Sequence, residues 1–387
     1  MSRTEVRQCL PEPMRAFLAR LEERSTEGGT CTTDMLRQAG ASGALGALVP
    51  ASHGGTAIGY AQFGELNRAV AAVSPSLQSL FTVHGMVCRA LARWSSADLR
   101  DEYLPLLSRG DTIAAFALTE AEAGNDIRRI RATARSTDSG WVLDGVKKWV
   151  TFGQVAHLYL VFASCSRGDV ALLVRREDTG VDVRPSPATF GLRGARLAEL
   201  RLTGCQVPGD RIVGKVGSAL SHVAADALTV GRLSVAHGAL GLAQCSLTGA
   251  LERSISRHQF GGPLHQQQLV RGMLADAGVA VDSASLLCRR AARSMDEDSS
   301  WAIGHVVMAK LAASRAATAA AAVEAQLFGA DGLTENSRVH RHLGDARVME
   351  VIEGSTQLLQ HLVADALLAR HRADAATKIE EGALDDC

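Results

Sequence analysis

Ala346-Arg-Val-Met-Glu-Val-Ile-Glu-Gly-Ser-Thr-Gln357 is the stretch on which the reading of this chain turns. It sets a carboxylate, Glu353, directly before Gly354, between an apolar flank and a helix-like run. A carboxylate in apolar surroundings is a candidate proton acceptor, because desolvation raises its pKa toward the range in which it works as a base. The competing reading is an ordinary cap or a solvated helix residue. Two further segments shift the balance toward chemistry. Phe116-Ala-Leu-Thr-Glu-Ala-Glu-Ala-Gly-Asn-Asp126 reads as a loop that turns at Gly124, and Lys148-Trp-Val-Thr-Phe152 follows it.

The 387 residues give room for two or three domains, each with a substantial core. The 41 basic and 41 acidic residues cancel and form no long run of one sign, which argues against a nucleic-acid backbone or an anionic membrane surface as the main partner. The charge-free stretch from Ala41 to Gly64 is broken by Pro50 and several glycines. The Ala-rich run Ala316 to Val323 is short and bracketed by Arg315 and Glu324. A soluble protein is expected. The N-terminus mixes Arg3, Glu5 and Arg7 with polar residues and shows no apolar signal core, so the cytoplasm is the expected location. Eight scattered cysteines contain no CxxC pair and the twelve histidines no HExxH, so neither a disulfide framework nor a metal is expected. Gly54-Gly-Thr-Ala-Ile-Gly59 follows no clear strand and lacks the GxGxxG order of a dinucleotide fold.

Periodicity divides the chain into three. Residues 1–112 read as helices, with apolar residues at helical spacing in Leu66 to Val73 and Met86 to Trp94 and with Pro75 and Pro105 as stops. Residues 113–216 read as a small antiparallel β domain. Asp144-Gly145 is expected to turn a hairpin there, and strands are expected over Val170 to Val174, Val181 to Arg184 and Leu197 to Leu202. From 217 to 387 the helical period returns. Leu233, Ala236, Leu240 and Ala243 share a face, Ala302 to Leu327 forms a second long helix, and the residues after about Ala375 read as a polar tail. The small side chains suit close helix packing, within the chain and against other subunits.

Taken together, the quoted segments resemble the acyl-CoA dehydrogenase family. The resemblance runs from about Leu36 to Arg370 and implies an α+β multidomain fold: an N-terminal helical domain, a middle antiparallel β domain and a C-terminal four-helix bundle. It implies FAD as cofactor, with Phe116, Leu118, Thr119, Gly124 and Asn125 in a flavin-binding loop, Trp149 packed on the ring and Thr151 near its N5. Where the family usually has Pro-Gly-Ala-Gly-Ser, this chain has Ala121-Glu-Ala-Gly-Asn125. Arg257 in Arg257-His-Gln-Phe-Gly261 would meet the FAD pyrophosphate, a task suited to guanidinium. Phe260 and Gln267 would join it, and Gln326 and Ala330 would complete the adenine side. These parts come from different subunits in the family, so a homodimer or homotetramer is implied. Ser355 and Gln357 resemble flavin and adenine contacts, and Arg232 and Gly354 lie beside the substrate.

Some branches of the family carry the catalytic Glu at the position of Gly231, so the resemblance leaves Glu353 as the base, with Glu350 its nearest rival. The implied activity is dehydrogenation of an acyl thioester, with α-proton removal by Glu353 and β-hydride transfer to the flavin. Electrons would pass to an electron-transfer flavoprotein or to oxygen. Ile352, where many fatty-acid enzymes carry Tyr, looks closer to the branch acting on acyl-carrier-protein thioesters in polyketide extender-unit biosynthesis, of hydroxymalonyl, methoxymalonyl or aminomalonyl type. Arg128, Arg129 and Arg131 are then candidates for a patch that meets an acidic carrier. Two alternatives stand beside this: a dehydrogenase of short or branched-chain CoA thioesters, and a diverged flavin-binding oxidase or interaction subunit.

Overall fold

A computed structural model describes residues 9–23, 31–335 and 337–385, with backbone alone beyond 373. The charged N-terminal residues weighed above and Cys387 lie outside the described residues. Among the described residues five α-helices come first: α1 (Glu12–Glu23), α2 (Thr33–Ala41), α3 (Tyr60–Ala71), α4 (Pro75–Trp94) and α5 (Ala97–Arg109). Their starts are written locally. The Thr32, Ser74 and Ser96 hydroxyls each accept a backbone N–H of the first turn, and Pro75 sits in the first turn of α4, where no intrahelical donor is needed. Pro75 therefore starts a helix. Pro105 does not stop one: it lies inside α5, four residues after exposed Asp101, whose carbonyl its ring cannot bond.

The middle region is a sheet of eight strands: β1 (Ala114–Ala117), β2 (Thr133–Thr137), β3 (Gly140–Val150), β4 (Leu158–Cys165), β5 (Gly168–Arg175), β6 (Val181–Pro185), β7 (Ala198–Pro208) and β8 (Ile212–Val213). Its order is β6-β7-β3-β2-β4-β5-β8, with β1 on β4. Most ladders are antiparallel, as expected. The departures are β1, which runs parallel to β4 from Ala114 opposite Leu158 to Ala117 opposite Val161, and a single parallel pair between β2 and β4. The long excursion between β1 and β4 lets the chain return in the same direction. Asp144-Gly145 makes no hairpin. It lies within β3 at a register shift, where Gly145 (φ +150°) passes Ala132 so closely that a Cβ would lie 2.6 Å from it, and Asp144 accepts the Gly204 N–H at 2.7 Å. Strand β4 is buried on both faces, so its continuous apolar run shows no alternation to read.

The C-terminal bundle consists of α6 (Ala225–Ser256), α7 (Gln268–Asp296), α8 (Ala302–Phe328), α9 (Arg338–Met349) and α10 (Thr356–Asp385). Helix α6 is buried nearly all round, and glycines let neighbours approach: a Cβ on Gly241 would meet the Arg68 carbonyl oxygen at 2.2 Å. Among the described residues one span, Ala302–Leu333, is long and apolar enough to cross a membrane by length and composition, yet α8 packs against α6, α7, α9 and α10. Helix α10 continues to Asp385, through the stretch whose composition reads as a tail.

Candidate active site

A cavity of about 740 Å³ opens where the sheet meets the bundle. Phe116 at the end of β1 and the following loop, with Leu118, Thr119, Gly124 and Asn125, form one wall. Trp149 and Thr151 form a second. A tryptophan in a strand would ordinarily alternate into the core, but the ladder slips between Lys147 and Val150 and Trp149 takes φ +55°. This bulge re-aims the indole, which is 51% exposed and lines the cavity. Helices α4 and α6 contribute Ser79, Thr82, Thr229 and Arg232, and the turn after α9 contributes Ile352, Glu353 and Gly354.

Glu353 sits on a strained turn. It adopts φ +55° and Gly354 adopts φ +107°, the left-handed region that costs an L residue roughly 1–2 kcal/mol. Its Oε2 is sealed from solvent and accepts no hydrogen bond. Burial pushes the carboxyl up from 4.5 to about 7, with Arg232 and Lys310 pulling it back. A Cβ placed on Gly231 would lie 2.7 Å from Glu353 Oε2 and 2.7 Å from the Met86 sulfur. The two sequence positions thus address one point in space, and glycine at one leaves room for the carboxylate from the other. The rival Glu350 is instead paired with Arg347, and it does not line the cavity.

Asn125 ties the two flavin-side loops together: its Nδ2 donates to Ser355 Oγ at 2.9 Å, and its Oδ1 accepts the Ser355 N–H at 3.4 Å. Gln357, exposed on the first turn of α10, stands outside the lining. A second group stands apart from the cavity. Arg257 caps the end of α6, Phe260 is 93% exposed on the hairpin that follows, and Gln267 precedes α7. Gln326 and Ala330 are exposed at the end of α8. Arg253 joins these two ends, lying 4.9 Å over the Phe328 ring and pairing with Asp331 at 3.1 Å.

Three family models match the chain in order: acyl-CoA dehydrogenase N-terminal domain over residues 1–111, middle domain over 115–205 and C-terminal domain over 221–368. The chain belongs to the acyl-CoA dehydrogenase family. The mitochondrial short-chain specific acyl-CoA dehydrogenase of Homo sapiens is 32% identical over 344 residues, covering 87% of this chain and 83% of that one. Among solved structures, FkbI, for biosynthesis of the methoxymalonyl extender unit of the FK520 polyketide, is 32% identical with a TM-score of 0.85, covering 92% of this chain and 99% of FkbI. Butyryl-CoA dehydrogenase from Megasphaera elsdenii gives a TM-score of 0.87 at 25% identity, covering 93% and 99%. This acyl-CoA dehydrogenase family member is a FAD-dependent enzyme. The cavity suits the flavin: a half-exposed indole and a phenyl ring offer apolar faces, hydroxyl and amide groups edge the opening, and a buried carboxylate is left without a partner.

Two features of the site escaped sequence reasoning. Lys310, fully buried on α8, donates to the Gly354 carbonyl at 2.8 Å. Its only signal was a lone lysine in an Ala-rich helix. Beneath the flavin-side loop, Glu120 accepts Lys147 Nζ at 2.6 Å and the N–H groups of Arg131 and Ala132 at 2.7 and 3.1 Å. These two residues are 27 apart in sequence, and nothing local announces the pair.

Proposed function

We propose that this protein dehydrogenates a short acyl thioester, with Glu353 removing the α-proton, and that its substrate is carried on an acyl carrier protein in polyketide extender-unit biosynthesis. The observation that carries the reading is the sealed, unpartnered Glu353 oxygen in the cavity wall, with its carboxyl near 7. A thioester acidifies its α-hydrogen, but the proton leaves only to a positioned base of suitable pKa. Glu353, ionised at and above neutrality, is that base. Arg232 donates its Nε–H to the Glu353 carbonyl at 3.1 Å and holds the turn from the α6 side. Bound FAD supplies acceptance of the β-hydride, which no side chain of the chain can do. The apolar walls formed by Phe116, Leu118 and Trp149 exclude water from the reacting carbons.

The substrate reading is supported by the two relatives at 32% identity, whose names speak of short-chain acyl groups and of a methoxymalonyl unit. Both are small. Ser79, Thr82 and Thr229 add polar groups to a cavity whose other walls, Val83, Leu220 and Leu228 among them, are apolar. Arg257, Phe260, Gln267, Gln326 and Ala330, all outside the cavity of their own chain, would serve the FAD of a neighbouring subunit in a homodimer or homotetramer. Electrons would leave to an electron-transfer flavoprotein or to oxygen. The test is anaerobic: purified holoenzyme is offered a panel of CoA and carrier-protein thioesters while flavin absorbance is followed. Fastest bleaching by a short acyl-carrier thioester is expected. Fastest bleaching by a CoA thioester would overturn the carrier assignment, and bleaching by none would overturn the dehydrogenase reading.

A further inference from the structure

Helix α8 is built largely of alanine, and within it Lys310 is completely buried. Burying an ammonium group is costly unless its hydrogens are taken up. Here they go to main-chain oxygens: Lys310 Nζ donates to the Gly354 carbonyl at 2.8 Å and to the Glu350 carbonyl at 3.4 Å. Those two carbonyls bracket the 350–354 turn, the segment that carries the left-handed Glu353 and Gly354. The Thr356 N–H closes the turn on the Glu350 carbonyl at 3.1 Å, and a conformation this strained persists only where its surroundings hold it as well. Arg232 holds it at the Glu353 carbonyl, and Lys310 holds both ends.

The charged groups around the base are few. Arg232 faces it from α6 and Lys310 from α8, and Lys148 of β3 and Arg347 of α9 also line the cavity. Glu350, on the same turn, is engaged by Arg347. Lys310 itself is lowered to about 8 by burial, with Glu353 and Glu350 acting to raise it and Arg232 to lower it. A lysine bonded to the carboxylate would neutralise a base. One bonded to the neighbouring backbone lends its charge and leaves the oxygen free.

We propose that Lys310 is a positioning residue, which clamps the 350–354 turn through its two end carbonyls and whose charge keeps the Glu353 carboxylate ionised without occupying it. This rests on Glu353 being the base. The sign follows: a nearby cation favours the carboxylate, so its removal raises the pH at which Glu353 becomes active.

The experiment compares kcat/KM against pH for the wild-type holoenzyme and for Lys310→Met, Lys310→Gln and Lys310→Arg. In the wild type activity should rise through about pH 7. In the Met and Gln variants that limb should move up by about one pH unit, a roughly tenfold loss near pH 6 that is recovered near pH 9, with flavin content unchanged. The Arg variant should keep the wild-type limb. If the Met protein fails to hold FAD, the Gln and Arg pair decides. A loss that is equal at every pH, or a Gln variant with the wild-type limb, would overturn the proposal. Glu353→Gln is the control: full flavin reduction by that variant would overturn the base assignment itself, a failure distinct from an unmoved limb in the Lys310 variants.

Discussion

Two glutamates, each with a buried lysine nearby, end up as opposites. Glu120 lies against Lys147 at 2.6 Å and takes two backbone N–H groups as well. Burial acts to raise its pKa, but these bonds outweigh burial and hold the carboxyl below its usual value. Glu353 has a sealed oxygen with no donor, its lysine is spent on main-chain carbonyls, and burial wins. The residue type is the same, and the difference lies in what reaches the carboxylate: Glu120 takes an ammonium and two backbone N–H groups, whereas Glu353 Oε2 takes none and the hydrogens of its lysine go to main-chain oxygens. A satisfied carboxylate is a clamp, here on the loop that carries Thr119 and Asn125. An unsatisfied one is a reagent.

Breaking each member tests the contrast. The largest effect belongs to Glu353→Gln, which should lower the rate of flavin reduction by substrate by about 10⁴-fold while leaving bound FAD and assembly intact. Stopped-flow bleaching measures this, and a near-normal rate would remove the contrast. Lys147→Met leaves Glu120 buried with its main partner gone. It should destabilise the protein by about 3–5 kcal/mol in denaturant unfolding, and a loss below about 1 kcal/mol would show that the clamp is dispensable. The smallest expected effect is at the exposed group away from the cavity. Arg257→Ala should weaken FAD retention about tenfold, read as flavin content after gel filtration, and unchanged content would count against the shared-site assignment.

How much of this was legible in the sequence depended on how locally it was encoded. The order of helices, sheet and helices follows from periodicity, and the capping serines and Thr32 mark helix starts within three residues. Strand β4 gave no alternation because both its faces are covered. Asp144-Gly145 has the chemistry of a turn, but Gly145 is needed there for close passage of Ala132, a tertiary demand that no dipeptide displays. Within the site, Glu353 and Trp149 could be singled out from short motifs. The bulge that turns Trp149 outward, the lysine that holds the Glu353 turn and the space that Gly231 leaves all depend on segments distant in the chain.

The base assignment can be isolated from the flavin altogether. An acetyl thioester has an α-carbon but no β-hydrogen, so it cannot be dehydrogenated. Its α-hydrogens should nevertheless exchange with deuterium from D2O, followed by NMR, in the presence of wild-type holoenzyme. No exchange above background is predicted with Glu353→Gln, and exchange at the wild-type rate in that variant would contradict the account.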